Sequence, residues 1–294
     1  MILIINSLCA QDFTHLTGDY LGLLPPGSEP TVFARGIISD KIQQHGYPTF
    51  SPDGTEVYWQ ANRVENGEWV VIVLCMNRVD NKWNNPEITP FGSGPVFSPD
   101  GQKLYFNSKE DGNYPCFVEK QNDKWGKPKS LNLVSHYPEL KFVYNLSVTN
   151  NSTLYFLGYA EGYWNNFGIY RSELVNGKYK KPEFLPKSIN LPNDVRNWTP
   201  FVAPDESYLL FSSTRGLPST DQGDIFISFR KPSGGWTGPM NLGSTINSNK
   251  GERFPCVSPD GKYLFFTRDT PGYDEDIYWV GAKIIEEIRA AQTN

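Results

Sequence analysis

The sequence predicts an all-β chain folded as a five-bladed β-propeller of four-stranded antiparallel blades, with an N-terminal strand closing the C-terminal blade. Three observations carry that prediction. A hairpin unit recurs five times, a second aromatic and proline signal recurs between the copies, and the two ends of the chain complete one another.

The hairpin is clearest at residues 254–268, FPCVSPDGKYLFFTR. Pro259 presets φ for the first turn position, Asp260 hydrogen-bonds its own backbone, and Gly261 supplies the positive φ that the reversal needs. Copies stand at 49–59, 96–106, 148–156, 202–211 and 257–266. The turn residues Asp53, Asp100, Asn151, Asp205 and Asp260 are 47, 51, 54 and 55 positions apart, and a period of that size announces a propeller or solenoid. The third copy is one residue shorter and has no proline, and the fourth has Glu206 in place of glycine.

Between the hairpins, Trp83 to Pro86, Trp125 to Pro128, Tyr179 to Pro182 and Trp236 to Pro239 each set an aromatic three residues before a proline. Proline is tolerated on an edge strand, where no neighbour awaits its missing N–H, so each of these segments opens the outermost strand of a unit. One further strand lies between hairpin and edge, as in WVVIVLCM (69–76), CFVEK, FGIYRSEL, DIFISFR and DIYWVGA. Four antiparallel strands make a propeller blade. After the fifth hairpin no aromatic-x-x-proline segment follows, whereas Pro30 precedes Asp53 by 23 residues, as Pro128 and Pro182 precede their turn residues. Residues 31–38 are therefore expected to pair onto the last blade and close the ring, removing the open edges that invite aggregation. The propeller spans 25–282, after a lead-in at 11–24, and 283–294 form a short tail with helical potential.

Composition agrees. The 294 residues are 14% aromatic, with 26 glycines and 23 prolines, which suits short aromatic-rich strands and frequent turns. The net charge of −5 is spread along the chain without a basic run, so the phosphate-neutralising footprint of a nucleic-acid binder is missing. The first ten residues, MILIINSLCA, read as the tail of a secretory signal peptide cleaved near Ala10, giving a secreted or periplasmic location. The other readings are a buried N-terminal strand and lipid attachment at Cys9, which the bulky Leu8 disfavours. No other stretch reaches the ~18 apolar residues of a membrane span. Cys75, Cys116 and Cys256 have no paired spacing and read as small buried hydrophobes. No cofactor is expected.

The SPDG turns, each followed by an aliphatic–aromatic pair and later by DIF or DIY, resemble the WD40-like (PD40) propeller repeats of the TolB type. Residues 236–266 look most like the form found in exported proteins of Bacteroidetes-type bacteria. The resemblance covers about residues 25–282 and implies an envelope or secreted protein. Such propellers serve as protein-binding platforms, glycan-associated proteins or appendages of hydrolases. The third blade departs from the pattern, and the absence of a second domain argues against a hydrolase's lid.

In such a blade the first strand lines the axis, so blade-to-blade loops share a face with the loops between second and third strands, and binding residues concentrate on loops held by rigid sheets. That face is expected to collect His45, Arg63, His136, Tyr137, Tyr163, Trp164, Arg196, Trp198, Arg215, Arg253, Arg268 and Tyr273. Aromatic rings beside arginines suit a protein or glycan ligand. The competing reading of Arg215 and Arg268 is that they brace their own loops. Trp83, Trp125 and Trp236 read as blade-packing rings, and the turn aspartates as fold residues. No GxSxG, HExxH or phosphate-cradling loop is present, and three histidines make a Ser-His-Asp triad a poor fit. Oxygen-rich stretches at Asp111, Asp221 and residues 274–276 lack regular calcium-ligand spacing. The expected function is non-catalytic binding. The alternative is a glycoside hydrolase or lyase, whose two carboxylates, drawn from Glu139, Asp194, Glu252 and Asp274, would converge near the axis about 5–9.5 Å apart.

Overall fold

In the computed structural model the described residues are 13, 15–39, 43–44, 46–108, 114–160, 167–191, 195–217, 222–269 and 275–292. The opening run 1–10, with Cys9 and Ala10, lies outside them, as do His45, Asp111, Tyr163, Trp164, Asp194, Asp221, Tyr273 and Asp274.

Five antiparallel sheets form the blades. From axis to rim, the first blade runs Thr49–Phe50, Glu56–Glu65, Glu68–Val79 and Glu87–Ile88. The second runs Ser93–Phe97, Lys103–Asn107, Pro115–Gln121 and Lys129–Ser130. The third runs Leu140–Val148, Leu154–Ala160, Gly168–Ser172 and Glu183–Phe184. The fourth runs Asn197–Val202, Tyr208–Ser213, Asp224–Phe229 and Met240–Asn241. The fifth takes Glu252–Val257, Tyr263–Asp269 and Glu275–Gly281 from the end of the chain and Thr31–Val32 from its beginning.

The five hairpin turns are built alike. Gly54, Gly101, Ser152, Glu206 and Gly261 each donate their N–H to the carbonyl three residues back at 2.8–2.9 Å, all with φ between 59° and 74°. In the first, second and fifth turns the serine hydroxyl donates to the turn aspartate at 2.6, 2.5 and 2.7 Å. Thr149 and Asn151 make the same bond in the third. Both departures from the consensus have uses. Asn150 stands where the other turns have proline, and its N–H donates to the Pro204 carbonyl of the next blade at 2.8 Å, a bond proline cannot make. The Glu206 carboxylate accepts from Tyr155 Oη at 2.6 Å and Arg171 Nε at 3.4 Å on the third blade.

Ring closure follows the same register as the other blades. Beyond each outer strand one more N–H reaches the third strand: Thr89 to Val73, Leu131 to Pro115, Leu185 to Ile169, Leu242 to Ile225 and Phe33 to Ile277, at 2.8–3.1 Å. A polar side chain a few residues further on then satisfies both backbone groups of a third-strand residue. Asn190 does so for Ile169 and Asn247 for Ile225. Ser39 does so for Ile277, accepting at 3.2 Å and donating at 3.4 Å. The N-terminal segment thus supplies the missing outer strand, although the strand is shorter than expected. Only Thr31 and Val32 pair, with Trp279 and Tyr278. Phe33 then turns inward and is fully buried, and Ala34, at φ 48°, opens a compact turn in which Ile37 and Ile38 both donate to its carbonyl at 2.9 Å.

The closing seam is aromatic. Phe33 sits edge-on to Phe265 and Trp279 at 5.0 and 5.1 Å, and Tyr20 edge-on to Phe50 and Tyr263 at 5.0 and 4.9 Å, geometries that add to area burial. The lead-in is tied down as well: Trp83 Nε1 donates to Gly18 O, and Tyr20 Oη to Asp260 Oδ1, each at 2.8 Å. The tail forms the helix Lys283–Ala291, with Ile285 buried. Cys75, Cys116 and Cys256 are buried. The loop between second and third strands expected to carry Arg63 is not a loop: across 62–69 the first blade's hairpin stays paired to Glu65 and Glu68 and reverses at Asn66 and Gly67, with φ 52° and 83°, the positive pair favoured in two-residue hairpins.

Two outcomes follow. Phe33→Ala removes a fully buried ring from the seam and is expected to cost about 3–5 kcal/mol in urea unfolding, although the residue lies outside the repeats. Burial alone would raise the turn aspartates, but hydrogen bonds from their turns outweigh it and hold Asp53, Asp100, Asp205 and Asp260 below the ordinary carboxylate value. A depressed folded value gives stability that is present above the unfolded value, about 3.9, and lost as pH falls through the folded one. The stability advantage of the wild type over Asp100→Asn, followed by denaturant midpoints between pH 7 and pH 2.5, is therefore expected to be constant near neutrality and to close in acid.

Candidate functional site

The loop-rich face holds the eight described candidates on the first, fourth and fifth blades and on the connections into the third and fourth, and most of them are engaged with the protein itself. Arg63 pairs with Glu65 along its own strand. His136 ends the short helix Leu133–His136 and is exposed. The Tyr137 hydroxyl donates to the Tyr179 carbonyl at 2.9 Å. Arg196 donates its backbone N–H to Thr214 Oγ1 at 3.0 Å. The Trp198 ring covers Gly223, where a Cβ would come within 3.0 Å of it.

Arg215 and Arg268 act as paired braces. Their guanidinium groups donate to the Ile189 and Ile246 carbonyls at 2.8 and 2.7 Å, fixing the loops that lead into the fourth and fifth inner strands. Arg268 also donates to Glu252 at 2.8 Å and lies 4.7 Å over the Tyr278 ring. Arg253 is held by Asp269 at 2.5 Å and by Glu275.

Of the acidic candidates, Glu252 is completely buried and accepts from Ser248 N at 3.1 Å and Ser248 Oγ at 2.5 Å as well as from Arg268. Burial pushes its carboxyl up, and the bonds from Ser248 and Arg268 only partly offset this. Glu139 pairs with Lys181 at 2.7 Å, and that bond holds its carboxyl below the ordinary value. Among the described residues no group of three or more His, Cys, Asp or Glu side chains is placed to hold a metal.

The tryptophans of the repeated segments pack as expected: Trp83 and Trp236 are buried, and each ring lies beneath a cation of its own blade, Arg78 over Trp83, Lys120 over Trp125 and Arg230 over Trp236, at 5.0–5.7 Å.

The axis carries a feature that the choice of loop residues missed. A cavity of about 210 Å³ is lined by all five inner strands, with Pro52, Pro99, Pro204 and Pro259 of the hairpin turns at its outer end. Its walls include Phe50, Phe97, Val148, Val202 and Val257, the residues that immediately precede the turns. Four of the hydroxyls along it are committed: Thr49 accepts from Phe97 N, Ser147 from Val202 N, and Ser98 and Ser258 donate to their aspartates. Burial pushes the phenols of Tyr47 and Tyr208, both in the lining, well above their ordinary value, so both stay neutral.

Tyr47 closes the inner end by reaching across the axis, where its hydroxyl donates to the Leu146 carbonyl of the third blade at a long 3.4 Å. Four of the five inner strands break register at this level. Gly94, Asn145, Thr199 and Phe254 take φ of 64°, 51°, 52° and 54° at matching positions, within or beside the register shifts. Bulges of this kind bend a strand and re-aim its side chains. Thr199 and Phe254 adopt that conformation at a cost of about 1–3 kcal/mol each, and they are held there by bonds from Thr199 Oγ1 to Ser212 Oγ at 2.8 Å and from Phe254 N to Thr199 Oγ1 at 3.2 Å. The signal for this cavity was present in the repeats, since the residue before each turn ends an inner strand and inner strands line the axis.

No family model matches the chain, and no curated protein matches it significantly. Solved structures with a similar fold include a protein of unknown function from Dyadobacter fermentans, 14% identical, with a TM-score of 0.50 over 88% of this chain and 83% of that one. A putative TolB from Agrobacterium tumefaciens is 18% identical, with a TM-score of 0.48 over 77% and 70%. The arabinanase Arb43A of Bacillus subtilis is 12% identical, with a TM-score of 0.49 over 82% and 94%. At these identities the likeness is one of fold. The chain is an all-β, five-bladed propeller.

The bracing of the loop face has a measurable consequence. Arg268→Ala leaves Glu252 buried without its cation and is expected to cost about 3–5 kcal/mol. Adding Glu252→Gln is expected to recover part of that loss, as read from urea unfolding of both variants.

Proposed function

We propose that this protein is a non-catalytic, exported propeller that binds a protein partner, one apolar side chain of which enters the axial cavity from the turn face. The cavity lining carries this reading: all five blades contribute to it, none of its described residues is a carboxylate or a histidine, and the hydroxyls of Thr49, Ser98, Ser147 and Ser258 are spent on the protein's own backbone and turn aspartates. An apolar cavity of about 150 Å³ accepts benzene, so one of about 210 Å³ has room for an aromatic or branched aliphatic group. A glycan would find few open hydrogen-bond partners on these walls. A glycosidase would need two carboxylates flanking the scissile bond, whereas Glu139 and Glu252 are each committed to an ion pair. The apolar start of the sequence supports the exported location.

Val257 lines the cavity without being fully enclosed, which makes Val257→Trp a plug. A displayed peptide library panned against the wild type is expected to enrich sequences sharing one bulky apolar residue, and these should bind the plugged variant at least tenfold more weakly while its thermal unfolding stays cooperative. Equal binding to both forms would sink the axial reading, and release of reducing sugar from a polysaccharide panel would sink the non-catalytic one.

A further inference from the structure

A second opening lies away from the axis, on the loop-rich face where the second blade hands over to the third. It is a cleft of about 730 Å³, within the range of about 300–1,000 Å³ typical of small-molecule sites. Its walls come from the start of the second blade's third strand, from the connection carrying the short helix Leu133–His136, and from the first residues of the third blade's inner strand.

The lining combines three kinds of surface. Tyr114 is 45% exposed and offers a ring, with its backbone carbonyl pinned by Ser108 N–H at 2.9 Å. Ser130, Asn132 and Ser135 are exposed polar side chains. The Asn132 amide donates to the Ser130 carbonyl and accepts from Ser135 Oγ, each at 3.5 Å, at the edge of what counts as a hydrogen bond. Lys141 is the one charged residue among the described lining residues, and its ammonium donates to the Pro138 carbonyl at 2.7 Å, which leaves two of its three protons for another acceptor.

We propose that this cleft binds an acidic oligosaccharide, a chain of sugars bearing carboxylates. An exposed aromatic ring takes the apolar face of a sugar, and amide and hydroxyl groups around it meet ring hydroxyls, the amphipathic pairing for which tyrosine is suited. The Lys141 ammonium, with two protons open to an acceptor, favours a negatively charged sugar over a neutral or amino sugar. The cleft is separate from the axial cavity, shares none of its lining residues, and does not depend on the reading of that cavity.

The test is calorimetric titration of the full chain with trigalacturonate, with maltotriose as the neutral control, at 20 and 200 mM salt. Trigalacturonate is expected to bind saturably and more weakly at the higher salt, with maltotriose at least fivefold weaker. Tyr114→Ala should weaken trigalacturonate at least tenfold. Lys141→Gln should remove the preference for the acidic sugar while leaving maltotriose unchanged, and Val257→Trp should alter neither. Both cleft side chains stand at the surface, so thermal unfolding of the two variants serves as the check that they fold. No saturable binding of trigalacturonate, or binding indifferent to Tyr114→Ala, would overturn the site. Equal affinity for the two sugars would overturn its acidic preference.

Discussion

The molecule depends on docking one short N-terminal segment against the last strand of the chain. Two strand residues, one further N–H from Phe33 and the Ser39 hydroxyl make the backbone part of that seam. Bonds so few add little net stability, since each exchanges with water. The larger share is hydrophobic: Phe33, Ile38 and Leu21 from the N-terminal segment are buried in one cluster with Phe50, Phe265 and Trp279 from the blades on either side. Closing a ring between distant ends carries an entropic cost that grows only slowly with loop length, so a few large aromatic side chains suffice to offset it.

Between the other blades the same problem is solved locally. Each neighbouring pair shares an apolar layer and a small number of directed bonds, such as Asn150 to Pro204, Glu206 to Tyr155, and Thr199 to Phe254. These bonds fall where the repeats depart from their own consensus or where an inner strand is bulged. Irregularity in one unit is therefore spent on joining it to the next, a pattern expected when identical sheets must be held at a fixed angle around an axis.

The two faces of the ring differ in consequence. On the loop-rich side, arginines that look ready for a ligand are consumed in holding their own loops, as Arg215, Arg253 and Arg268 do. On the turn side the serine hydroxyls of the turns are also bonded internally, and prolines, aromatic rings and aliphatic groups face the axial space. A surface whose polar groups are already paired presents itself to a partner as an apolar one.

By itself the sequence determined the number of blades, the chemistry of the turns and the direction of closure, because these follow from local rules: SPDG reverses a chain, proline marks an edge, and the proline-to-turn spacing at Pro30 matches that at Pro128 and Pro182. It also held the Asn66-Gly67 signal for the long first hairpin, although a loop was the expectation there. What only the tertiary structure decided is which polar groups are spent and which are open. Whether Arg268 meets a ligand or Glu252, whether Tyr47 lines a loop or crosses the axis to Leu146, and whether a bulge falls at Phe254 depend on what stands opposite in space. Residues that far apart along the chain leave no periodic trace of their pairing, so their roles emerge only when five sheets are brought around one axis.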